Sequence, residues 1–143
     1  MKKKMFIFII PLMIIVTVIC SWAYTNTGLK RFEKEVSKIT LPENVEVIAK
    51  KSGIGDSGGN GDQSTYRVVL AVKTKMSLEE LNQEFENRKM TFSSHVAGSN
   101  KPICYITLCK ENIFKSDRKF ELTFDELECV KEFDGYYFIE FIK

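Results

Sequence analysis

The sequence predicts an α+β protein in which an N-terminal transmembrane helix precedes a small domain whose mostly antiparallel sheet is packed by one or two helices. Three observations support this prediction. Residues 5–24 carry no charge and are mostly apolar. Several later segments alternate apolar and polar side chains as strands do, and two segments have apolar residues at helical spacing. Helices that cover the apolar face of an antiparallel sheet are typical of the α+β class.

Residues 5–24, MFIFIIPLMIIVTVICSWAY, follow three lysines, and the next charged side chain is Lys30. A helix of this length spans about 30 Å, which matches the hydrocarbon core of a bilayer. Positive charge before the segment favours a cytoplasmic N-terminus, and Trp22 and Tyr24 are suited to the far interface. We therefore expect residues 5–24 to contact the lipid bilayer in a single-pass cell-membrane protein whose C-terminal domain is extracellular.

A cleaved signal peptide is the competing interpretation of the same leader. It has a basic start, an apolar middle and the small residues Ser21 and Ala23 on either side of Trp22. Cleavage after Ala23 would secrete the rest of the chain. The bulk of Trp22 and the length of the apolar run favour an uncleaved anchor, and both interpretations export the same domain.

A second helix is expected directly after the membrane segment. Residues 25–28, TNTG, predict a polar turn, and Pro42 ends the helical pattern that follows. The apolar residues at helical spacing are Leu29, Phe32, Val36 and Ile39. This helix could form a stalk or touch the membrane surface, but we favour packing on the domain.

The remaining residues predict strands with one further helix. Ser77 and Glu80 have the spacing of a capping box, and apolar residues recur on one side of residues 78–90, which predicts a helix there. A polar break is expected at residues 110–118, and Asp134-Gly135 predicts a two-residue hairpin between residues 128–133 and the C-terminal strand. The other strands are expected at residues 44–50, 65–74, 102–109 and 119–124.

The chain thus divides into a membrane anchor or signal-anchor at residues 1–24, an amphipathic helix with its connector at 25–43, and an extracytoplasmic α+β domain at 44–143. All 19 acidic residues follow residue 32; without the three N-terminal lysines, 18 of the 21 basic residues remain, so the net charge falls from +2 to −1. Such a domain lacks the basic surface that binds phosphate backbones, and we expect no nucleic-acid partner.

The glycine segment at residues 53–62, GIGDSGGNGD, begins with the glycine pattern of a dinucleotide-binding loop. That loop works by leading into a helix whose N-terminus binds phosphate, whereas here a predicted strand follows. No Gly-Lys-Ser/Thr closes the segment, and its acidic residues lack EF-hand spacing. We therefore expect a connection between two adjacent antiparallel strands. Loops held by a sheet often carry recognition residues, so the candidate ligand or partner contacts are Asp56, Ser57, Asn60 and Asp62.

The thiols and the single histidine are the candidate catalytic groups of this sequence. Cys104 and Cys109 lie about 17 Å apart on opposite faces of the predicted strand, so they cannot pair with each other. Either could pair with Cys129, or all three could be free thiols. His95 could act as a base for Cys104 or for the serine before it, but no orienting group or oxyanion donor can be identified. We predict no catalytic residue, no metal site and no cofactor.

Other acidic and aromatic residues have simpler interpretations. The carboxylates are expected in solvent and most of the rings in the core, with an exposed aromatic contact surface as the alternative for the rings. The carboxylates are Asp125, Glu126, Glu128 and Asp134, and the rings are Tyr136, Tyr137, Phe138 and Phe141.

These observations predict a non-enzymatic, membrane-anchored extracytoplasmic module that binds an unknown ligand, or a protein of the cell envelope, through the glycine segment and nearby strand ends. Two alternatives stay open. One is a small cell-envelope hydrolase or thiol enzyme that uses Cys104 and His95. The other is a structural accessory subunit of a membrane complex, for which the membrane helix would be the main contact.

Overall fold

The structure is a computed structural model that describes residues 2–56, 64–87, 103–116 and 120–143. It has the predicted α+β architecture, with a long N-terminal helix followed by a small domain that contains a four-stranded antiparallel sheet and a second helix. In chain order the elements are α1 (Lys2–Val36), β1 (Val45–Asp56), β2 (Ser64–Thr74), α2 (Leu78–Asn87), β3 (Ile103–Leu108), β4 (Ile113–Lys115), β5 (Glu121–Thr123), a 3-10 helix (Asp125–Leu127) and β6 (Tyr136–Ile142).

The main sheet has the strand order β1-β2-β6-β3, and each neighbouring pair is antiparallel. The central strands β2 and β6 are buried on both faces, which is why their sequences are nearly continuous apolar runs. β4 and β5 pair with each other in a separate two-stranded sheet. The predicted antiparallel pairing is therefore confirmed.

Two apolar cores lie on opposite faces of the main sheet, because successive strand residues point to opposite sides. The last turns of α1 and helix α2 cover one face, and the small sheet with the 3-10 helix covers the other. The first core contains Phe32, Val36, Val68, Leu70, Val72, Leu81, Phe85, Cys104, Tyr137, Ile139 and Phe141. The second contains Ala49, Val69, Ala71, Cys109, Phe114, Phe124, Leu127 and Phe138.

The polar turn predicted at residues 25–28 is wrong, because α1 continues through them without a break. The hydroxyl of Thr25 donates to the carbonyl of Ser21 at 2.8 Å, and the hydroxyl of Thr27 donates to the carbonyl of Ala23 at 2.7 Å. These short polar side chains are thus satisfied within the helix and do not compete with its backbone hydrogen bonds.

The last turns of α1 pack on the domain, as the sequence predicts, and are not a free stalk. Phe32 and Val36 are 2 % and 3 % exposed and belong to the first core. Gly28 lies against the phenol of Tyr66 on β2, where any Cβ would overlap the ring. One helix therefore contains both the apolar segment and part of the core of the domain.

β1 extends to Asp56, beyond its predicted end at residue 50, and includes Gly53 and Gly55. A Cβ on Gly53 would come within 2.8 Å of the Phe120 ring, so glycine leaves room for a ring that packs across the strand. The segment does connect adjacent antiparallel strands, as predicted. Its residues 57–63 lie outside the part of the chain that the structure describes.

Helix α2 begins with the predicted capping box. The backbone N–H of Ser77 donates to Glu80 Oε2 at 2.7 Å, and the backbone N–H of Glu80 donates to Ser77 Oγ at 3.2 Å. These reciprocal bonds satisfy donors that have no partner within the first turn of a helix. The predicted last turn at residues 88–90 lies outside the described residues.

The predicted polar break at residues 110–118 contains β4, so that prediction is wrong in part. Phe114 of β4 is buried in the second core, and its ring packs edge-on against the ring of Phe138 with centroids 5.4 Å apart. β4 has only three residues, which are too few for an alternation of apolar and polar side chains to indicate a strand. Its partner β5 lies inside the strand predicted at residues 119–124.

The hairpin predicted at Asp134-Gly135 is wrong, although the turn itself forms. Gly135 has a φ of 72°, in the left-handed region that favours glycine. Residues 128–133 form no strand, and β6 pairs with β2 and β3 instead. The turn packs against the end of β2, where the backbone N–H of Thr74 donates to the carbonyl of Gly135 at 2.8 Å.

Candidate functional site

The structure places only part of the site predicted in the glycine segment. Asp56 is the last residue of β1 and is paired with Ser64 across the hairpin. Ser57, Asn60 and Asp62 lie outside the described residues. The contact through Asp56, Ser57, Asn60 and Asp62 therefore stays a prediction.

The direction of β1 shows where the glycine end of this hairpin lies relative to the apolar helix. Lys50 Nζ donates to Ser37 Oγ at 2.9 Å, and the hydroxyl of Ser52 donates to the carboxylate of Glu33. Ile54, farther along the strand, lines a groove with α1 residues 18–26. β1 and α1 thus run in opposite directions, and the glycine end of β1 lies beside the end of the apolar segment.

The other end of the same hairpin carries an open cleft of about 890 Å³, which we call the distal cleft. It lies between the start of β1, the end of β2 and helix α2. At about 3.3 Å per residue, Val45 is on the order of 30 Å from Ile54 along the strand. The distal cleft is lined by Glu43, Asn44, Val45, Glu46, Lys73, Thr74, Lys75, Met76, Glu80, Gln83 and Glu84.

Hydrogen bonds hold the turn that joins β2 to α2, which forms one wall of the distal cleft. The backbone N–H of Met76 donates to Thr74 Oγ1 at 3.2 Å, and the hydroxyl of Tyr137 donates to the carbonyl of Met76 at 2.9 Å. Tyr137 belongs to the first core, so this bond ties the wall to the centre of the sheet. The cleft is therefore a preformed feature of the fold.

The distal cleft carries a net negative charge, because its lining contains four carboxylates and two ammonium groups. Glu46 on β1 and Lys73 on β2 are cross-strand neighbours. The hydrogen bonds from the backbone N–H and the hydroxyl of Ser77 hold the pKa of the Glu80 carboxyl below its usual value. Such a surface suits a ligand with cationic and hydrogen-bonding groups.

The described residues offer no donor set for a metal ion, since none of their His, Cys, Asp and Glu side chains form a cluster of three or more. Carboxylates in the distal cleft belong to three different segments: the turn before β1, the start of β1 and helix α2. The cleft offers carboxylate, ammonium and hydrogen-bonding groups to a ligand.

Cys104 lacks the properties of a nucleophilic thiol in this structure. It is 3 % exposed within the first core. Burial, with a further contribution from the negative charge of Glu140, raises the pKa of Cys104 to about 12. Thiolate is the reactive form of cysteine, so this environment opposes catalysis. His95, its proposed base, lies outside the described residues.

All four cysteines are free thiols in the structure. Cys109 belongs to the second core, and burial raises its pKa to about 11. Cys104 and Cys109 behave as small apolar core residues, which agrees with the free-thiol alternative, while Cys20 and Cys129 are exposed.

The remaining sequence-predicted groups lie where they were expected. Asp125, Glu126, Glu128 and Asp134 are all exposed, and Lys51 Nζ lies 3.1 Å from the carboxylate of Asp125. Most of the C-terminal rings belong to the two cores, so they do not form an exposed aromatic surface. Tyr137, Phe138 and Phe141 are buried, and Tyr136 packs against the second core.

The pair of Arg67 on β2 and Glu140 on β6 was missed in the sequence, although both residues are at most 5 % exposed. The available signal was a charged residue inside each of two nearly continuous apolar strands. Buried charges of this kind are almost always paired. The pair belongs to the interior of the domain, away from the distal cleft, and its role is structural.

No known protein family, curated protein or solved structure matches this chain. Its function must therefore be inferred from its own residues. Among the described residues, the apolar part of α1 and the distal cleft both face outward, and they lie at opposite ends of the hairpin formed by β1 and β2.

Proposed function

We propose that this chain is a non-enzymatic binding module of the cell envelope, anchored in the cell membrane by residues 5–24, with a cytoplasmic N-terminus and an extracellular domain. The distal cleft would bind an extracytoplasmic protein partner. The observation that carries the proposal is the position of the distal cleft at the opposite end of the domain from the apolar part of α1. An anchor at one end leaves the other end open to solvent.

The helix supports an anchoring role. Among the described residues, one helix is long and apolar enough to span a membrane, and its apolar part is not buried inside the protein. Large apolar side chains from Ile10 to Ile19 are more than half exposed, which would be unfavourable in water. Because the same helix docks on the domain through Phe32 and Val36, the anchor would also orient the domain.

The chemistry of the distal cleft favours a basic segment of a protein as its ligand. Its four carboxylates would attract cationic side chains, and its open shape suits a polypeptide better than a small enclosed ligand. The outer edge of β1, which pairs with no other described strand, borders the cleft and offers backbone hydrogen bonds to an extended segment.

Site-specific photocrosslinking in intact cells tests this function. A photoreactive residue replaces Gln83, which lies in the distal cleft, and the matched control replaces Glu86, which is exposed on the same helix outside the cleft. We expect a protein adduct from position 83 that is absent from position 86 and is weakened by Glu46→Lys. Equal adducts at both positions, or none at position 83, would contradict the proposal.

A photoreactive residue at Asp56 tests the glycine-segment contact in the same cells. An adduct from that position, with none from position 83, would assign binding to the glycine end of the hairpin in place of the distal cleft. A substitution of the whole apolar segment by an unrelated one tests the accessory-subunit alternative, which predicts loss of function although the domain stays folded.

Cys129 provides a test of topology, because it is exposed and lies outside the apolar helix. In a Cys20→Ser background, a membrane-impermeant maleimide should label Cys129 in intact cells, and Cys129→Ser should abolish the labelling. Labelling only after lysis would place the domain in the cytoplasm. The mass of the mature chain reports whether residues 1–23 have been removed, in which case the domain would be secreted.

A further inference from the structure

We propose that Ile54, on the part of β1 that lies beside the apolar segment of α1, is seated in the phospholipid headgroup layer on the outer side of the membrane. The inference rests on the proposed function, since it requires α1 to span the membrane, but it adds a second lipid contact within the exported domain. It concerns a groove of about 380 Å³ that we call the junction groove, lined by Ile54 and by Val18, Ser21, Trp22, Thr25 and Asn26 of α1.

The junction groove is continuous with the apolar surface of the anchor. Ile54 is 43 % exposed, and beside it Val18 and Trp22 of α1 are 62 % and 69 % exposed. Trp22 lies near the end of the apolar segment, where indole rings prefer the boundary between hydrocarbon and headgroups. Ile54 is therefore held at the height of that boundary, and lipid is the partner that matches an apolar side chain there.

The polar residues of the junction groove suit this layer. The Thr25 hydroxyl is already bonded to the carbonyl of Ser21, so it needs no water. The outer edge of β1 pairs with no described strand, and its backbone groups need partners that hydrocarbon cannot supply. Headgroups and interfacial water can supply them, which places the edge of β1 in the headgroup layer and not in the hydrocarbon core.

The contacts between α1 and the domain prevent Ile54 from moving away from the membrane surface. Tyr66, the cross-strand neighbour of Ile54, packs against Gly28 of α1. At the C-terminus, Lys143 Nζ lies 2.6 Å from Glu35 Oε2 on the same helix. The hairpin and the anchor therefore move as one unit.

Two exposed basic residues of α1 fit the same placement. Lys30 and Arg31 follow Trp22 by eight and nine residues, or about 12 Å of helix. At that distance from the hydrocarbon boundary, cationic side chains can reach lipid phosphates. Apolar Ile54 at the boundary and basic side chains above it form the arrangement expected of a surface that rests on phospholipid.

Fluorescence depth measurements on the full chain test the inference. The protein, with Cys20→Ser and Cys129→Ser, is reconstituted in vesicles of phosphatidylcholine and phosphatidylglycerol. An environment-sensitive dye is attached at Ile54→Cys or at the matched control Val47→Cys, which is 45 % exposed on the same strand but near the distal cleft. We expect blue-shifted emission and quenching by headgroup-attached quenchers at position 54, and neither effect at position 47.

A dye at Ile14→Cys separates this inference from the proposed function. A lipid environment at position 14 combined with an aqueous one at position 54 overturns the seating of the domain but leaves the anchor intact. Aqueous environments at both positions overturn the anchor and, with it, this inference. Similar lipid signals at positions 47 and 54 would also overturn it, because the whole strand would then lie on the membrane and not only its glycine end.

Discussion

Arg67 and Glu140 form a buried ion pair between the two central strands, with 2.7 Å between Arg67 Nη1 and Glu140 Oε1. The same Nη1 donates to Ser116 Oγ at 2.8 Å, and the guanidinium carbon lies 5.0 Å from the centre of the Phe120 ring. Gly55 allows this packing, since a Cβ there would come within 2.6 Å of Arg67 Nε. One guanidinium thus links the main sheet to the segments that flank β4 and β5.

Removing one member of this pair should strongly destabilise the domain. Arg67→Met or Glu140→Gln removes the opposite charge from a buried partner, and we expect each to lower the free energy of unfolding by roughly 3 to 5 kcal/mol. Urea denaturation of the full chain in detergent, followed by circular dichroism, measures the change. The control is Lys115→Met, which removes an exposed pair with Glu111 and should cost about 1 kcal/mol or less. Equal losses of unfolding free energy for the two pairs would show that burial does not increase the contribution of the Arg67 pair to stability.

Gly135→Ala should destabilise the turn before β6. The φ of 72° is strained for alanine, and its Cβ would meet the carbonyl oxygen of Thr74 at 2.5 Å. We expect a loss of roughly 1 to 3 kcal/mol in the same denaturation measurement. Asp134→Ala changes the neighbouring exposed residue and should stay within about 0.5 kcal/mol of the unmodified chain. A neutral Gly135→Ala would mean that the turn adopts another backbone conformation.

Phe32→Ala should loosen the connection between the apolar part of α1 and the domain. The ring is 2 % exposed in the first core, and its loss typically costs about 3 to 5 kcal/mol. We expect limited proteolysis of the reconstituted protein to cut within residues 25–44 much faster in this variant. Lys34→Ala, on an exposed position of the same helix, should not change the rate. Rapid cleavage of the unmodified chain in this region would indicate that α1 does not dock on the domain.

The buried thiol of Cys104 should make stability fall at high pH. Its pKa is raised from 9.0 to about 12, so the folded state holds the thiol proton more tightly than the unfolded state. This contribution is complete below about pH 9 and is lost as the pH rises toward 12. Cys104→Ala should therefore be less stable overall but lose less stability between pH 9 and pH 11. If the unmodified chain and Cys104→Ala lost the same free energy of unfolding between pH 9 and pH 11, as measured by urea denaturation, the raised pKa of Cys104 would be contradicted.

Local patterns in the sequence were sufficient to predict most elements. The alternation around Val68 to Val72 predicted a buried strand, and the spacing of Ser77 and Glu80 predicted where α2 begins; both are confirmed. These predictions succeed because strand alternation and capping depend on residues only a few positions apart. The predicted turn at residues 25–28 failed because the threonine hydroxyls bond within the helix, an outcome that composition does not distinguish from a turn.

The distal cleft could not be predicted, and neither could the partner that each of the buried charges Arg67 and Glu140 takes, because both features join residues that are distant in the sequence. The hairpin at Asp134-Gly135 failed for the same reason, since β6 takes its partners from β2 and β3 and not from the preceding segment. The sequence by itself determined the class of the fold, the apolar leader and the near-neutral charge of the domain. Only the tertiary structure decided which strands pair and which ends of the domain carry the apolar part of α1 and the distal cleft, because strand pairing and helix docking depend on long-range packing of complementary surfaces.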